Sequence, residues 1–332
     1  MPITLLLVSC ASFLHEMNQN LQTLGNTGIQ VSGLCFGSLT MTPMQKNLSV
    51  KEGAALLTEA FSMGINFVDT AQYYENYAYL EEALRTIPRS RYVIATKSYA
   101  WDTATAKEAV DQALSELNTD YIDLFLLHEQ ESEHTLRGHQ EALAYFCECK
   151  EKGIIRATGL STHRLAGVAA AIEHPDIEVI HPIVNQKGIG IQDGTMDEME
   201  ALLVKAKAAG KGIYAMKPLG GGHLIKDYAQ SLTFALLRPY VDSVAIGMQS
   251  KEEIRCNVAL LDGRREPELE ARLQKKRRTL SVADYCSACG ACVKRCRQDG
   301  IRIVNGRATP NENCILCGYC AKACPDFCIK VI

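Results

Sequence analysis

The chain has 332 residues, 47% hydrophobic and 22% charged, enough to bury one large core and a second small one. A formal net charge of −3 speaks against a nucleic-acid or membrane-surface binder. Of 14 cysteines, eight crowd into two C-terminal runs, and Cys10, Cys35, Cys147, Cys149, Cys256 and Cys328 are scattered. A secreted disulfide scaffold is short and evenly stapled, so this usage predicts a reducing cytoplasm with metal-bound thiolates.

The apolar start, Ile3 to Leu14, contains "LVSC", which resembles a lipoprotein cleavage box ending at Cys10. No Lys or Arg precedes it, and a bilayer span needs about 20 residues. Residues 1–16 therefore read as a disordered extension or a mis-called start, with a folded domain opening at Met17 and no membrane association.

From Gly33 short apolar runs alternate with longer amphipathic ones. Strands are expected at 33–38, 66–69, 92–97, 121–128, 155–161, 179–184, 212–217 and 243–247. Helices are expected between them, among others at Val50–Met63, Ala104–Leu117, Leu136–Lys152 and Met196–Ala209, where apolar residues recur at i, i+3 and i+4. Strict alternation implies a parallel sheet with right-handed crossovers. Eight strands favour a closed (β/α)8 TIM barrel over an open sheet, and no G-x-G-x-x-G follows the first strand. The fold class is thus α/β: a barrel over 17–263, a charged helical linker over 264–280, and a small α+β ferredoxin-like iron–sulfur domain over 281–332. The basic cluster Lys275–Arg278 is either a solvated face or a docking patch for an acidic redox partner.

Catalytic groups of such barrels sit at the C-terminal ends of strands. Asp69, Lys97 and His128 end three successive strands, and Tyr74 follows Asp69 by five residues. A tyrosine hydroxyl, with a pKa near about 10, is a weak acid; a lysine ammonium in contact would lower that value. Asp69 would hold the lysine, and His128 would orient a carbonyl or relay a proton. Read singly, Asp69 and Lys97 could be a structural ion pair and His128 a satisfied barrel histidine.

"NFVDTAQYY", "ATK" and "DLFLLH" resemble motifs of the aldo-keto reductase family, in its iron–sulfur-bearing subgroup, to which "MKPLGGG" and "GMQS" are also similar. The resemblance implies an NAD(P)H-dependent oxidoreductase reducing an aldehyde or ketone. It implies an Asp69, Tyr74, Lys97, His128 tetrad with Tyr74 as general acid, Tyr73 being the neighbouring competitor.

For the nicotinamide cofactor, NADP(H) or NAD(H), the same resemblance points to Ser161, Thr162 (where Asn is usual) and Gln186 at the carboxamide. Met216 stands where many members stack a tyrosine, with Lys217 and Leu219 following. Gly247, Met248, Ser250, Glu253 and Asn257 fall in the segment that grips the adenosine end. Gln249 occupies a place where many members carry the Arg that holds a 2′-phosphate, and Lys251 is the candidate to compensate. Gly220–Gly222 read either as a close approach to the pyrophosphate or as a flexible loop, and Trp101 either as a pocket wall or as loop packing.

The C-terminal runs repeat Cys-x2-Cys-x2-Cys-x3-Cys, with Pro325 after the second, the pattern of bacterial two-cluster ferredoxins. Three cysteines on one turn reach three corners of a cubane and the fourth crosses to the other cluster. That gives Cys286, Cys289, Cys292 and Cys324 for one [4Fe–4S] cluster, and Cys314, Cys317, Cys320 and Cys296 for the second. Zinc is the competing metal, although its sites use separated Cys pairs. Arg297 stands where proline often follows the fourth cysteine, "GIRIVNGRATPNEN" reads as a hairpin, and Cys328 as a buried small hydrophobe. The partners implied are a small carbonyl substrate and a redox protein, with the clusters either outside turnover or feeding electrons to or from the barrel site. In a third reading the barrel is only a scaffold.

Overall fold

Parallel strands covered on both faces read as unbroken apolar runs, and eight of these runs do fold that way. In the computed structural model of the chain, residues 21–275, 278–314, 316 and 319–332 are described. The expectations for residues 1–16, Met17 and Cys317, and for the middle of the basic cluster, lie outside them. An antiparallel pair, β1 (Gln22–Thr23) and β2 (Gln30–Val31), precedes the barrel. The barrel strands are β3 (Leu34–Gly37), β4 (Phe67–Asp69), β5 (Val93–Ser98), β6 (Ile122–Leu127), β7 (Ile155–Thr162), β8 (Val179–Pro182), β9 (Gly212–Met216) and β10 (Ser243–Gly247). Neighbours pair in parallel in chain order, and β10 closes on β3.

Two apolar layers hold this architecture. Inside the barrel Phe67, Val93, Leu124, Leu126 and Tyr214 fill the lumen, and Leu24, Ile29 and Val31 join them from the β1–β2 pair. Outside, Phe36, Ile94 and Phe125 pack on helix residues such as Leu57, Leu80 and Phe146. Each large side chain so buried contributes about 1.5–3 kcal/mol. Helix Val50–Ser62 starts where Ser49 and Glu52 form a reciprocal capping box, and it turns Leu56, Leu57 and Ala60 inward. The single helix expected over Leu136–Lys152 is two, Glu133–Gly138 and Gln140–Glu151. They break at His139, whose Nδ1 lies 2.7 Å from the Thr135 carbonyl.

Asp123, in β6, is fully buried and holds Arg89 at 2.7 Å, Arg156 at 2.6 Å and the Ile94 amide at 2.9 Å. Asp123→Ala strips three donors of their acceptor and is expected to cost about 3 kcal/mol. In urea denaturation this lowers the midpoint at constant slope; an unmoved midpoint refutes it.

Beyond the barrel, helix Pro267–Gln274 leads into β11 (Leu280–Val282). A hairpin follows, β12 (Ile301–Val304) with β13 (Arg307–Pro310), its tip Asn305–Gly306 at positive φ as a two-residue Asn-Gly turn requires. β14 (Ile329–Val331) returns antiparallel to β11. Two short helices, Ala291–Arg295 and Tyr319–Ala323, each carry one of the eight motif cysteines in mid-helix. A small core of Val282, Ile301, Cys320, Cys328 and Ile329 ties this C-terminal module together. The module sits over the C-terminal ends of the barrel strands: Phe327 inserts between Ile189 and Leu224, and the Ile329 carbonyl lies 3.2 Å from His223 Nε2. Among the described residues no helix is long and apolar enough to cross a membrane.

Candidate active site

The strand ends deliver Asp69, Lys97 and His128 to one side of the barrel, and all three line a cavity of about 620 Å³ at its mouth. Lys97, 1% exposed, binds Asp69 at 2.7 Å and donates to the Thr70 carbonyl at 2.6 Å. Asp69 also accepts from the Tyr214 hydroxyl at 3.0 Å, and Tyr214 stacks on His181. Asp69 is thus fixed from two sides, and the lysine with it.

Tyr74 lies on a short turn, Gln72–Tyr74, after β4. Its ring is 5.2 Å from Lys97 Nζ and edge-on to His128 at 5.8 Å. Tyr73 stands at the rim, 43% exposed, against Tyr99. The expected lowering of the Tyr74 pKa by Lys97 is not found. Burial first, then the Asp69 and Glu129 carboxylates, hold the hydroxyl well above the usual tyrosine range. His128 is held neutral, its pKa driven well down by burial and by Lys97. Among the described residues its Nδ1 is buried without a hydrogen-bond partner.

The cofactor candidates divide. Ser161, Met216, Lys217, Leu219, Gly247, Glu253 and Asn257 line the mouth. Thr162 does not: its hydroxyl is taken by the Arg164 amide at 3.0 Å, turning the start of helix Leu165–Glu173. Gln186 is directed to Ser231 at 2.9 Å, and Met248 is fully buried in the outer core. Ser250 caps helix Lys251–Leu261 by accepting from the Glu253 amide. Lys251 is no substitute for an arginine at the mouth, being paired with Glu59 on the outer surface at 3.1 Å. Trp101 is 57% exposed and outside the cavity wall, so the pocket-wall reading fails. Gly220, Gly221 and Gly222 all have positive φ, and a Cβ on Gly222 would lie 2.2 Å from the Val331 carbonyl. The close approach these glycines permit is to the C-terminal module.

That module also supplies what residue patterns alone had not singled out: Tyr285, Phe327 and Lys330 line the mouth. Phe327 packs edge-on to His163 at 6.0 Å, under Lys217 Nζ at 4.4 Å from its ring. Alternate neighbours along the chain face a second, smaller cavity lined by Cys286, Cys289, Cys292 and Cys324, one motif set of four, together with Cys328. Tyr285 and Cys286, or Ile329 and Lys330, are consecutive residues on opposite sides of one wall. Cys328 is buried, yet it is more than filler, with its sulfur 3.4 Å from that of Cys324; its thiol draws the Cys324 pKa down to about 6. Of the other set, Cys296 accepts from the Gly300 amide at 3.2 Å, Cys320 is buried, and Cys314 packs on the same small core. Among the described residues no three His, Cys, Asp or Glu side chains are drawn into a metal-holding group.

An eight-stranded parallel barrel whose strand ends carry a buried Lys–Asp pair beside a tyrosine and a neutral histidine defines a class of barrel oxidoreductase. Residues 33–235 match the model of the aldo/keto reductase family, and the chain belongs to that family. It is an aldo-keto reductase-type NAD(P)H-dependent oxidoreductase. It is 25% identical over 280 residues to the L-galactose dehydrogenase of Arabidopsis thaliana, covering 72% of this chain and 87% of the relative. To the methylglyoxal reductase of Escherichia coli it is 23% identical over 203 residues, 59% and 72% of the two chains. A solved aldo-keto reductase structure from Pseudomonas aeruginosa shares the fold, with TM-score 0.63, 24% identity, and 75% and 95% coverage.

Proposed function

We propose that the chain reduces an aldehyde or ketone to an alcohol, with Tyr74 giving the proton. The observation that carries this reading is the Lys97–Asp69 pair at 2.7 Å beneath Tyr74 and His128 in one cavity. The nicotinamide, when bound, supplies the hydride. Neutral His128 orients the carbonyl oxygen by a hydrogen bond. Lys97 stabilises the tyrosinate left after proton transfer, and Asp69 keeps Lys97 charged and in place. Ser161, Met216 and Leu219 would hold the nicotinamide end, and Gly247, Glu253 and Asn257 the adenosine end. The methylglyoxal reductase among the relatives agrees with carbonyl reduction.

NADP(H) is the proposed cofactor form, and Gln249, whose Nε2 reaches the Thr40 carbonyl at 3.4 Å, stands where a 2′-phosphate partner belongs. Gln249→Arg is expected to raise the NADPH over NADH preference about tenfold in kcat/KM, through a charge-assisted contact; no change would place the 2′ end elsewhere.

The C-terminal module is proposed to hold two [4Fe–4S] clusters, one on Cys286, Cys289, Cys292 and Cys324, the other on Cys314, Cys317, Cys320 and Cys296. That the first four cysteines line one small cavity is what supports this reading. When bound, the clusters supply one-electron transfer. Thiolates retained for that purpose suit a cytoplasmic setting and a redox protein partner. The one-residue wall between that cavity and the barrel mouth favours a second reading, in which the clusters exchange electrons with the barrel site. Anaerobic protein mixed with NADPH separates the two readings, by absorbance at about 340 nm for nicotinamide and about 400 nm for clusters. Nicotinamide consumption only with added carbonyl, clusters remaining oxidised, supports the first reading. Cluster bleaching without a carbonyl supports the second.

A further inference from the structure

Two lysines approach the barrel mouth from opposite parts of the chain. Lys217 follows β9 and Lys330 lies on β14, and both line the cavity that holds Tyr74 and His128. Lys217 takes φ +58°, a left-handed conformation costing about 1 kcal/mol for a residue with a Cβ. Its Nζ is brought within 2.6 Å of His163 Nε2, so the histidine accepts from the ammonium. Among the described residues neither lysine has a carboxylate within ion-pair distance. Asp69 is engaged with Lys97, and Glu270 with Arg265. Of the acids that act on them, Glu129 is already bound by the Tyr99 hydroxyl at 2.8 Å and stands 3.6 Å from His163, and Asp284 acts on Lys330 alone. Burial depresses both lysines, Lys217 to about 7, and keeps His163 neutral. Two partly desolvated amines with no ion-pair partner among the described residues carry their charge at a cost, and an incoming anion relieves that cost.

We propose that Lys217 and Lys330 form an anion subsite, built jointly by the barrel and the C-terminal module, that selects carbonyl substrates carrying a carboxylate. The reacting end sits at Tyr74 and His128, and the carboxylate sits under the two ammonium groups. The subsite rests on the carbonyl-reductase reading for its substrate, though its affinity for anions does not. A diphosphate has the same attraction for paired ammonium groups, so the cofactor's own diphosphate is the competing occupant.

The test compares 4-carboxybenzaldehyde with 4-methylbenzaldehyde on the intact chain and on Lys330→Gln, Lys330→Arg and Lys217→Gln. Wild type is expected to favour the acid by about 10- to 100-fold in kcat/KM, the worth of a charge-assisted contact, with the difference in KM. Lys330→Gln and Lys217→Gln collapse that ratio, and Lys330→Arg retains most of it. Lys251→Gln, on the outer surface, leaves it intact. Equal ratios in wild type and Lys330→Gln overturn the subsite. So does a raised NADPH KM with an unchanged aldehyde ratio, which assigns the lysines to the cofactor. Should neither aldehyde be reduced, calorimetry with benzoate and benzyl alcohol decides. Benzoate binding that Lys330→Gln abolishes upholds the subsite without the reaction, and no preference for benzoate overturns it.

Discussion

Tyr74→Phe is expected to lower kcat/KM for carbonyl reduction by about 10²- to 10⁴-fold, the usual worth of a positioned proton donor, while nicotinamide still binds. The substitution removes one oxygen and keeps the ring that packs edge-on to His128 and beside Lys97. The stability of the barrel should therefore hardly move. Tyr73→Phe, at the exposed rim, should give a much smaller loss. Lys97→Met also abolishes turnover but differs in kind. It leaves the Asp69 carboxylate buried against Tyr214, at a cost of about 3–5 kcal/mol readable in denaturant. Steady-state kinetics with urea titration separate the two effects. Comparable losses from Tyr73→Phe and Tyr74→Phe would refute Tyr74 as the donor.

What residue patterns disclosed and what they concealed follows from the range of the interactions. The barrel strands were legible because each is buried on both faces, as Ile122–Leu127 is throughout. Helix Val50–Ser62 announced itself by apolar residues recurring at i, i+3 and i+4, such as Leu56, Leu57 and Ala60. Asp69, Lys97 and His128 were legible because strand ends converge in any closed parallel barrel. Thr162, Gln186 and Met248 failed as mouth residues for a different reason. Whether a side chain after a strand faces the mouth, the helix layer or a cap depends on local hydrogen bonds, such as Thr162 to the Arg164 amide. No spacing rule encodes these. The docking of the C-terminal module was the least legible feature. Phe327 in "PDFCIK" lies between Cys324 and Cys328, and its partners Ile189 and Leu224 lie far away along the chain. The same distance concealed Lys330, and with it half of the anion subsite.

Phe327→Ala is expected to release the C-terminal module from the barrel mouth without emptying it of iron. Phe327 is 1% exposed, fills the slot between Ile189 and Leu224, and lies under the Lys217 ammonium. Truncating a buried phenylalanine costs about 3–5 kcal/mol, equivalent to about two to four orders of magnitude in the docked-to-open ratio. Phe327 belongs to the interface, whereas the module's own core is Val282, Ile301, Cys320 and Ile329, so the module's internal fold is spared. On the proposal of two cubane clusters, the iron content should then stay at about eight atoms per chain. Hydrogen exchange should rise at Gly220–Gly222 and at the edge of β14, where the Val331 carbonyl now lies against Gly222. The KM for a carbonyl substrate should rise at least about tenfold, since Tyr285 and Lys330 leave the mouth with the module. This differs from removing residues 280–332 outright, which leaves the same mouth open and also removes the cysteines proposed to hold the clusters. If Phe327→Ala leaves exchange at Gly220–Gly222 unchanged, the module is held by other contacts. If iron is lost while exchange in the barrel loop is unaffected, Phe327 supports the clusters rather than the docking.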